Sequence, residues 1–395
     1  MGLENNIRED WIETTLEENI SEIAMGPFGS NLKRDMFTKE GVPIIKGTNL
    51  SGIYVGGDFT FVSEEKATSL RKAVAYPNDI IITHRGTIGQ VSLVPQNKYK
   101  RYVTSQSQLR FCPDPQKLDY KYILYFLRSR VGQYELLKSS SQVGVPAIAT
   151  PTKSIKEINL FLPSLPEQKT ITKVLTAFDD KIELLQAQNK TLETIAQTIF
   201  KEWFGKYQTN DKLPEGWRVG KITEIIERHS ISYRCVKSDL DKDGLTPIID
   251  QGKDGLYGYT KRSPDFIASQ QDPVILFTNH TCNYWFIDYP FCAIQNVLPF
   301  KGKDGYDSYF IYFLTKGSVN FIEYKGHWPN LAAKDFIIPD KDSANSFSLI
   351  AKSILEKISN NNSQIQSLNK TRETLLPKLM SGQVRVNNLN QTANA

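Results

Sequence analysis

The stretch at residues 166–204, PEQKTITKVLTAFDDKIELLQAQNKTLETIAQTIFKEWF, decides the architecture of this chain. Apolar or semi-apolar residues follow one another in alternating steps of four and three, at positions 171, 175, 178, 182, 185, 189, 192, 196, 199 and 203. This spacing is the heptad seam of a coiled coil. A helix of about 39 residues spans roughly 58 Å and cannot bury such a stripe by itself. The stretch therefore predicts a long helix that packs against another helix.

A second long helical pattern near the end of the sequence supplies the simplest partner. Its seam is weaker, is interrupted by NNN at 360–362 and contains Pro377, with apolar positions at 354, 358, 365, 368, 375 and 379. The two stretches share a phrase, NKTLET from Asn189 and NKTRET from Asn369, and both asparagines occupy seam positions. A buried seam asparagine can fix helix register. The alternative is that both cap local backbone or face solvent.

The regions before these two helices repeat each other in the same order. VPIIKG (42–47) resembles TPIIDQG (246–252), NDIIITHRG (78–86) resembles QDPVILFTNH (271–280), and TSQSQ (104–108) loosely resembles AIQN (293–296). YILYFL (122–127) then matches YFIYFL (309–314), and IKEINLFLP (155–163) matches AKDFIIP (333–339). Ordered weak matches of this kind indicate a tandem duplication.

Each repeated region mixes two kinds of element. DIIIT, PVILF and FIIP are apolar runs of strand length that are bounded by Asp, Gly, Asn and Pro, and KYILYFLRSRVGQYELL (121–137) has the three-to-four spacing of a short helix. The mixture predicts an α+β fold class.

Composition excludes several classes of protein. The 395 residues, 40% hydrophobic, suffice for two or three packed domains, and no apolar run reaches the ~18 residues of a membrane span. The acidic start lacks the apolar segment of a signal peptide, so we expect a cytoplasmic protein. Cys112, Cys235, Cys282 and Cys292 show no metal-binding spacing and are expected to be reduced thiols. A net charge of +5 permits an anionic partner.

Catalytic motifs are missing from the sequence. There is no Gly-x-x-x-x-Gly-Lys-Ser/Thr loop for ATP and no Asp/Asn-Pro-Pro-Tyr/Phe string of the kind that holds the target base in amino-methyltransferases. His84, His229, His280 and His327 show no paired-ligand spacing. The chain is therefore predicted not to be an enzyme and to bind no metal.

Several phrases resemble one family, the specificity (S) subunits of type I restriction-modification systems. LPSLPEQKTITKVLTAFDDKIELLQAQNKTLETIAQTIFKEWF resembles their central region, and NKTRETLLPKLMSGQVRV resembles their distal region. LPEGWRVGKI (213–222) resembles the start of a second target-recognition domain, whereas GPFGSNLK, GVPIIKGTNL and DIIITHRGTIG resemble phrases of the first. The resemblance covers about residues 8–386.

The resemblance implies two tandem pseudo-symmetric target-recognition domains joined by two long helices that form an antiparallel coiled coil. We place the first recognition domain at 1–163, the central spacer helix at 164–206, the second recognition domain at 207–340, the distal spacer helix at 341–386 and a polar tail at 387–395. Each domain is expected to read one half of a bipartite DNA target, while the helices space the halves and dock the methyltransferase subunits.

The resemblance also implies partners and cofactors. Two methyltransferase (M) subunits would carry S-adenosylmethionine, and motor-nuclease (R) subunits would use ATP and Mg for cleavage, so no cofactor is expected in this chain. Two other classes stay open. A fused restriction-methylation enzyme would need the missing methyltransferase motifs, and a coiled-coil scaffold that never touches DNA would leave the duplicated domains without a purpose.

Candidate DNA contacts follow from chemistry and position. Phosphates are bound by Lys, Arg and backbone amides, and base edges by forked groups such as Arg, Asn and Gln. In the first domain, the candidates lie in a glycine loop or just after apolar runs: Asn31, Lys33, Arg34, Lys46, Asn49, His84, Arg85, Thr87 and Gln106.

In the second domain, the candidates come from DQGKDGLYGYTKR, TNHTCN, AIQN and KGHWPN: Gln251, Lys253, Tyr257, Tyr259, Asn279, His280, Asn296, His327 and Asn330. For the candidates of the first domain, the alternative is a turn or a solvated charge, and for Asn296 it is an amide that bonds only to the backbone. The aromatic end of the first long helix, with Lys201, Trp203 and Phe204, either anchors a methyltransferase subunit or packs on the start of the second domain.

Overall fold

A computed structural model of the chain describes residues 10–141, 143–252 and 254–386. The chain divides into two compact units. The first comprises the residues up to Ile182 together with those from Ser367, and the second is Glu183–Gln366. Each unit contains strands, short helices and a part of both long helices. The predicted α+β class is confirmed, whereas the polar tail predicted at 387–395 lies outside the described residues.

The first unit contains twelve strands: β1 (Ile12–Thr15), β2 (Ile20–Met25), β3 (Val42–Ile45), β4 (Thr60–Val62), β5 (Val74–Ala75), β6 (Ile80–Thr83), β7 (Val91–Leu93), β8 (Tyr102–Thr104), β9 (Gln108–Pro113), β10 (Ser140–Ser141), β11 (Ala147–Ile148) and β12 (Asn159–Leu162). Its short helices are α1 (Glu64–Ser69), α2 (Tyr120–Arg128), α3 (Arg130–Leu137) and α4 (Pro151–Lys156). The long helix α5 (Leu165–Phe204) follows β12 and enters the second unit.

The strands of the second unit are β13 (Arg218–Lys221), β14 (Ile226–Arg228), β15 (Thr246–Ile249), β16 (Leu256–Thr260), β17 (Val274–Thr278), β18 (Tyr284–Ile287), β19 (Cys292–Ala293), β20 (Val297–Gly302) and β21 (Asp335–Ile338). Its helices are α6 (Ser308–Thr315), α7 (Trp328–Ala333) and the first part of α8 (Lys341–Met380), which returns to the first unit.

The two units share most of their sheet topology, although β5 and the β10-β11 pair of the first unit have no counterpart among the described strands of the second. The first unit has a sheet ordered β2-β9-β6-β7, and the second has β14-β20-β17-β18. In the first, β3 pairs antiparallel with β4 and parallel with β8, as β15 pairs antiparallel with β16 and parallel with β19 in the second. The pairs β1-β12 and β13-β21 also correspond. The duplication predicted from the order of weak sequence matches is confirmed at the level of strand pairing.

The stretch at 121–137 forms two helices, not the single helix predicted. The Asp119 carboxylate accepts hydrogen bonds from the backbone amides of Lys121 and Tyr122 and starts α2. Ser129 interrupts the helical path, and its hydroxyl accepts from the Gly132 amide to cap α3. Serine side chains bond to backbone amides at helix starts, and such a bond ends one helix and begins the next. The apolar periodicity runs across this break and therefore did not indicate it.

The two long helices pack together in antiparallel directions, as predicted. Each has 40 residues, and α8 continues through the NNN segment and through Pro377 in its last turn. Asn361 is fully buried, and its side-chain amide donates to Gln188 Oε1 at 2.9 Å and to Asn189 Oδ1 at 2.7 Å. The Asn189 amide donates to Asn362 Oδ1 at 2.8 Å. The segment that weakens the apolar seam therefore supplies the polar partner of Asn189.

Each unit buries its share of the helix pair in its own core. In the first unit, Phe111 and Tyr122 belong to one cluster with Leu175 of α5 and Leu379 of α8. In the second, Phe310 clusters with residues of both helices, including Ala196, Phe204, Phe347 and Leu355. Because residues of both long helices belong to these clusters, the helices are integral parts of both domain cores. Burial of one large apolar side chain contributes about 1.5–3 kcal/mol to stability.

Candidate nucleic-acid interface

In the first unit, two loops meet where β3 and β8 end. The loop after β2 lies on the turn between β8 and β9: the Gly26 amide donates to the Gln108 carbonyl at 2.8 Å. A Cβ at Gly26 would lie 1.9 Å from the Ser105 carbonyl oxygen, and one at Gly29 would lie 2.7 Å from Gln106 Oε1. At Gly26, where the close atom belongs to the backbone, only glycine permits this approach. The turn presents Gln106 as an exposed amide.

Strand β6 ends at Thr83 in the same region, and His84 and Arg85 follow it. The His84 amide donates to the Ser107 carbonyl at 3.0 Å, and its Nε2 donates to the Gln106 carbonyl at 3.2 Å. Burial is the main cause that lowers the pKa of His84, so the ring is neutral at pH 7. His84 therefore holds the turn that carries Gln106 and is not a cationic phosphate ligand.

Arg85 and Thr87 project from this framework. Arg85 forms an isolated β-bridge with Ala147, the Gly86 amide donates to the Pro146 carbonyl at 2.8 Å, and the Arg85 side chain is exposed. Thr87 is also exposed. The backbone is fixed while the guanidinium stays accessible, which is the arrangement expected of a DNA-contacting arginine.

Lys46 and Asn49 have different surroundings. Asn49 is buried; its Oδ1 accepts from the Lys46 amide at 2.9 Å, and its Nδ2 donates to the carbonyls of Gly56 and Asp58. Because these bonds occupy both ends of the amide, the structure places Asn49 in a loop-holding role instead of the DNA-facing one predicted. Lys46 is half-buried, and its Nζ donates to Thr60 Oγ1 at 2.6 Å.

Asn31, Lys33 and Arg34 are exposed in the glycine loop and just beyond it. Within the part of the chain that the structure describes, the side chains of Lys33, Arg34 and Arg85 have no carboxylate partner. Unpaired cations beside an exposed amide suit a surface that receives phosphates and base edges.

In the second unit, the equivalent loops are held together by their own polar groups. Gln251 Oε1 accepts from the His280 amide at 3.0 Å, and the Gln251 carbonyl accepts from the Thr281 hydroxyl at 2.7 Å. The Asn279 amide donates to the carbonyl of Asn296, which has a left-handed backbone with φ 67°. Gln251, Asn279, His280 and Asn296 are thus brought together at the ends of β15 and β17, each partly exposed.

The loop before α7 covers this cluster. His280 stacks on Tyr324, with ring centroids 4.8 Å apart, and its Nδ1 donates to the Lys325 carbonyl at 2.9 Å. Tyr324 is 80% exposed and extends the surface beyond His280. Neither periodicity nor spacing indicated this residue, since its partner lies far away in the sequence.

His327 is fully buried and so has a structural place instead of the surface one predicted. Its backbone amide donates to the Asn279 carbonyl at 2.8 Å, and its Nε2 donates to the Glu323 carbonyl at 2.9 Å. Asn330 is exposed, but its amide donates to His327 Nδ1 at 3.2 Å. These two residues hold the loop that carries Tyr324.

Tyr257 and Tyr259 are exposed side chains on β16, and Lys253 lies outside the described residues. The pairing of β16 with β15 shifts register at Tyr257, which lies between the paired residues Leu256 and Gly258. Both tyrosines lie on the strand that follows the Gln251 loop.

The aromatic end of α5 is divided between core and surface. Phe204 is 4% exposed and packs on Trp217, with centroids 5.5 Å apart, so it joins the start of the second domain to the helix. Trp203 is 39% exposed and Lys201 is exposed. Of the two alternatives left open by the sequence, packing on the second domain describes Phe204, whereas Trp203 and Lys201 stay available at the surface.

Across residues 10–141, 143–252 and 254–386, no group of three or more His, Cys, Asp or Glu side chains is arranged to hold a metal ion. The same residues contain no helix with the length and apolar character needed to cross a bilayer. All four cysteines are free thiols. The sites that the described residues do form are polar loop clusters suited to binding.

Comparison with known proteins gives consistent matches. Residues 9–194 match the family model of the type I restriction modification DNA specificity domain. The chain is 26% identical to the type I restriction enzyme MjaIX specificity subunit of Methanocaldococcus jannaschii, over 97% of this chain and 95% of that protein. It is 29% identical to the type I restriction enzyme HindI specificity subunit of Haemophilus influenzae over a shorter part, 28% of this chain and 24% of that protein.

A solved structure shares the fold along most of the chain. The crystal structure of the type I restriction-modification system S subunit from M. genitalium superposes with a TM-score of 0.60 at 18% identity, covering 96% of this chain and 98% of that one. The family match, the relatives and the shared fold agree with the duplicated domains and paired helices. Residues 9–194 thus match a type I restriction modification DNA specificity domain, and nearly the whole chain is similar in sequence and fold to type I specificity subunits.

Proposed function

We propose that each unit reads one half of a bipartite DNA target and that the paired helices set the distance between the halves. The observation that carries this proposal is the duplicated strand pairing. In both units, polar side chains collect at the ends of equivalent strands: β3, β6 and β8 in the first, and β15, β17 and β19 in the second. Two copies of one scaffold with different side chains suit two different half-sites.

The chemistry of the two loop clusters supports direct reading of bases. Gln106 and Asn296 carry carboxamides that can pair with adenine through a donor and an acceptor, and Arg85 carries the fork that pairs with guanine. Lys33 and Arg34 would bind phosphates in the first half, and Tyr257 and Tyr259 would line the second. The buried residues Asn49, His84 and His327 would act through the loops they hold.

The partners and cofactors follow from the same proposal. The exposed Trp203 and Lys201 would contribute to docking of methyltransferase subunits, two per chain, and motor-nuclease subunits would join for cleavage in the cytoplasm. S-adenosylmethionine would bind the methyltransferase subunits, and ATP with Mg the motor-nuclease subunits. No cofactor is assigned to this chain.

The test is an exchange of one recognition domain. Residues ~8–155 are replaced by those of another specificity subunit, the chain is purified with its methyltransferase partner, and methylation of a random DNA library is sequenced. The expected result is that one half of the target changes while the other half stays. A change of both halves, or no bipartite target for the wild-type complex, would contradict the proposal.

A further inference from the structure

In each unit, a tyrosine of a short domain helix lies beside an ion pair that includes a residue of α5. In the first unit, the Tyr125 hydroxyl of α2 donates to Asp179 of α5, and the same carboxylate pairs with Arg372 of α8. We call Tyr125, Asp179 and Arg372 the first clamp. Tyr125 is 3% exposed, and the Asp179 side chain is 12% exposed.

The second unit has a clamp at the matching place with different chemistry. Lys316, directly after α6, pairs with Glu193 of α5, and its Nζ donates to the Tyr312 hydroxyl at 3.0 Å. We call Tyr312, Lys316 and Glu193 the second clamp. Tyr125 and Tyr312 are the fourth residues of the matching sequences YILYFL and YFIYFL, so the two clamps use the same position of the duplicated helix.

The clamps can fix the orientation of a domain on the long helices more sharply than apolar packing does. Burial of apolar surface is non-directional, so it specifies the angle between a domain and the helix pair less sharply than directional bonds do. Hydrogen bonds to charged groups have fixed lengths and directions. A partly buried ion pair also adds little net stability compared with apolar contacts. The effect of the clamps is therefore expected in orientation more than in the free energy of unfolding.

We propose that the two clamps fix the orientation of each recognition domain on the long helices and so restrict the complex to one spacer length between the half-sites. This inference rests on the proposed function. The clamp residues are positioning residues: they lie on the helices and not among the loops that face DNA.

The experiment measures methylation as a function of spacer length. The full chain, purified with its methyltransferase partner, is presented with a DNA library in which the two half-sites are separated by every spacer length over one turn of the duplex. Sequencing gives methylation at the preferred length and at lengths one base pair shorter or longer. The ratio of these signals is the spacer selectivity.

The variants Tyr125→Phe and Tyr312→Phe each remove one hydroxyl from a clamp. We expect methylation at neighbouring spacer lengths to rise about tenfold relative to the preferred length, since a hydrogen bond to a charged group changes an equilibrium by about that factor. The bases read in each half-site should stay the same. Tyr122→Phe and Tyr309→Phe are matched controls because their hydroxyls donate to main-chain carbonyls, those of Phe161 and Gln270, and not to a clamp residue.

Asp179→Asn gives a stronger perturbation of the first clamp and should relax spacer selectivity further. If that variant does not fold, Tyr125→Phe decides the outcome alone. Clamp variants that melt like the wild type and keep its spacer selectivity would overturn the inference. A wild-type complex with no bipartite target at all would instead overturn the proposed function, so the two failures are distinguishable.

Discussion

The two units place equivalent backbone in equivalent positions but equip it with different side chains. Thr83 and Thr278 end matching strands, so His84 corresponds to Asn279 and Arg85 to His280. The His84 and Asn279 amides both donate to the neighbouring turn, and their carbonyls accept from Ile148 and His327 in the same way. The duplicated main-chain contacts show that the scaffold is independent of the side chains it presents.

The side chains at these positions interact with their surroundings in opposite ways. In the first unit Arg85 is exposed and, among the described residues, has no carboxylate partner. In the second unit His280 stacks on Tyr324 and bonds to the loop before α7. We expect the first unit to contribute more of the salt-dependent binding and the second to depend more on an assembled polar surface.

The largest expected effect is on the free energy of unfolding, and it distinguishes Asn49, which holds a loop, from Asn31, which faces solvent. Asn49→Ala should lower the free energy of unfolding by about 3 kcal/mol, because three hydrogen bonds are lost and their partners stay buried. Asn31→Ala, at an exposed position, should leave it within about 0.5 kcal/mol. Chemical denaturation of both variants measures the difference. Equal stabilities would show that the Asn49 loop is not held by its amide.

The next prediction concerns the matched pair Arg85 and His280. Arg85→Ala should weaken DNA binding of the complex with its methyltransferase by about 1–3 kcal/mol if the fork reads guanine, with relaxed specificity at one base. If it binds phosphate, affinity should fall evenly and the salt slope by about one. Arg85→Lys separates these outcomes, because lysine keeps the charge without the fork.

His280→Ala is the control for the same strand position in the second unit. Its salt slope should stay at the wild-type value, because the ring is engaged with Tyr324 and the Lys325 carbonyl. Affinities for matched and single-base-altered targets, measured at two salt concentrations, distinguish a base contact from a phosphate contact. Unaltered affinity and specificity in Arg85→Ala would exclude a DNA contact by this residue.

The smallest effect is a pH dependence confined to the first unit. Burial lowers the pKa of His84, so the unfolded chain binds its proton more readily than the folded one. The stability contribution of His84 is therefore complete above the unfolded value of about 6.5 and is lost as pH falls below it, at no more than about 1.4 kcal/mol per pH unit.

His84→Asn copies the residue that the second unit has at this place, Asn279, which does not titrate. The variant should remove part of the loss of stability between pH 6.5 and pH 5, as followed by thermal unfolding. The same acid sensitivity in wild type and variant would assign the effect to other groups.

Sequence alone predicted the elements whose signals repeat along the chain. The alternation of four and three over 166–204 predicted α5, and DIIIT, PVILF and FIIP predicted β6, β17 and β21. The order of weak matches predicted the duplication. Periodicity and the order of repeats can be read along the sequence itself. A chain that must bury an apolar stripe adopts the helix or strand whose period matches that stripe.

Tertiary structure decided which polar side chains are exposed and which are buried and hydrogen-bonded within the protein. Asn49 and Asn31 have the same side chain, yet one is buried with both ends bonded and the other is exposed. The NNN segment interrupted an apolar seam in sequence, but folding placed Asn361 against Gln188 and Asn189. A polar side chain contributes according to the partners that folding brings near it, and those partners lie far away along the chain.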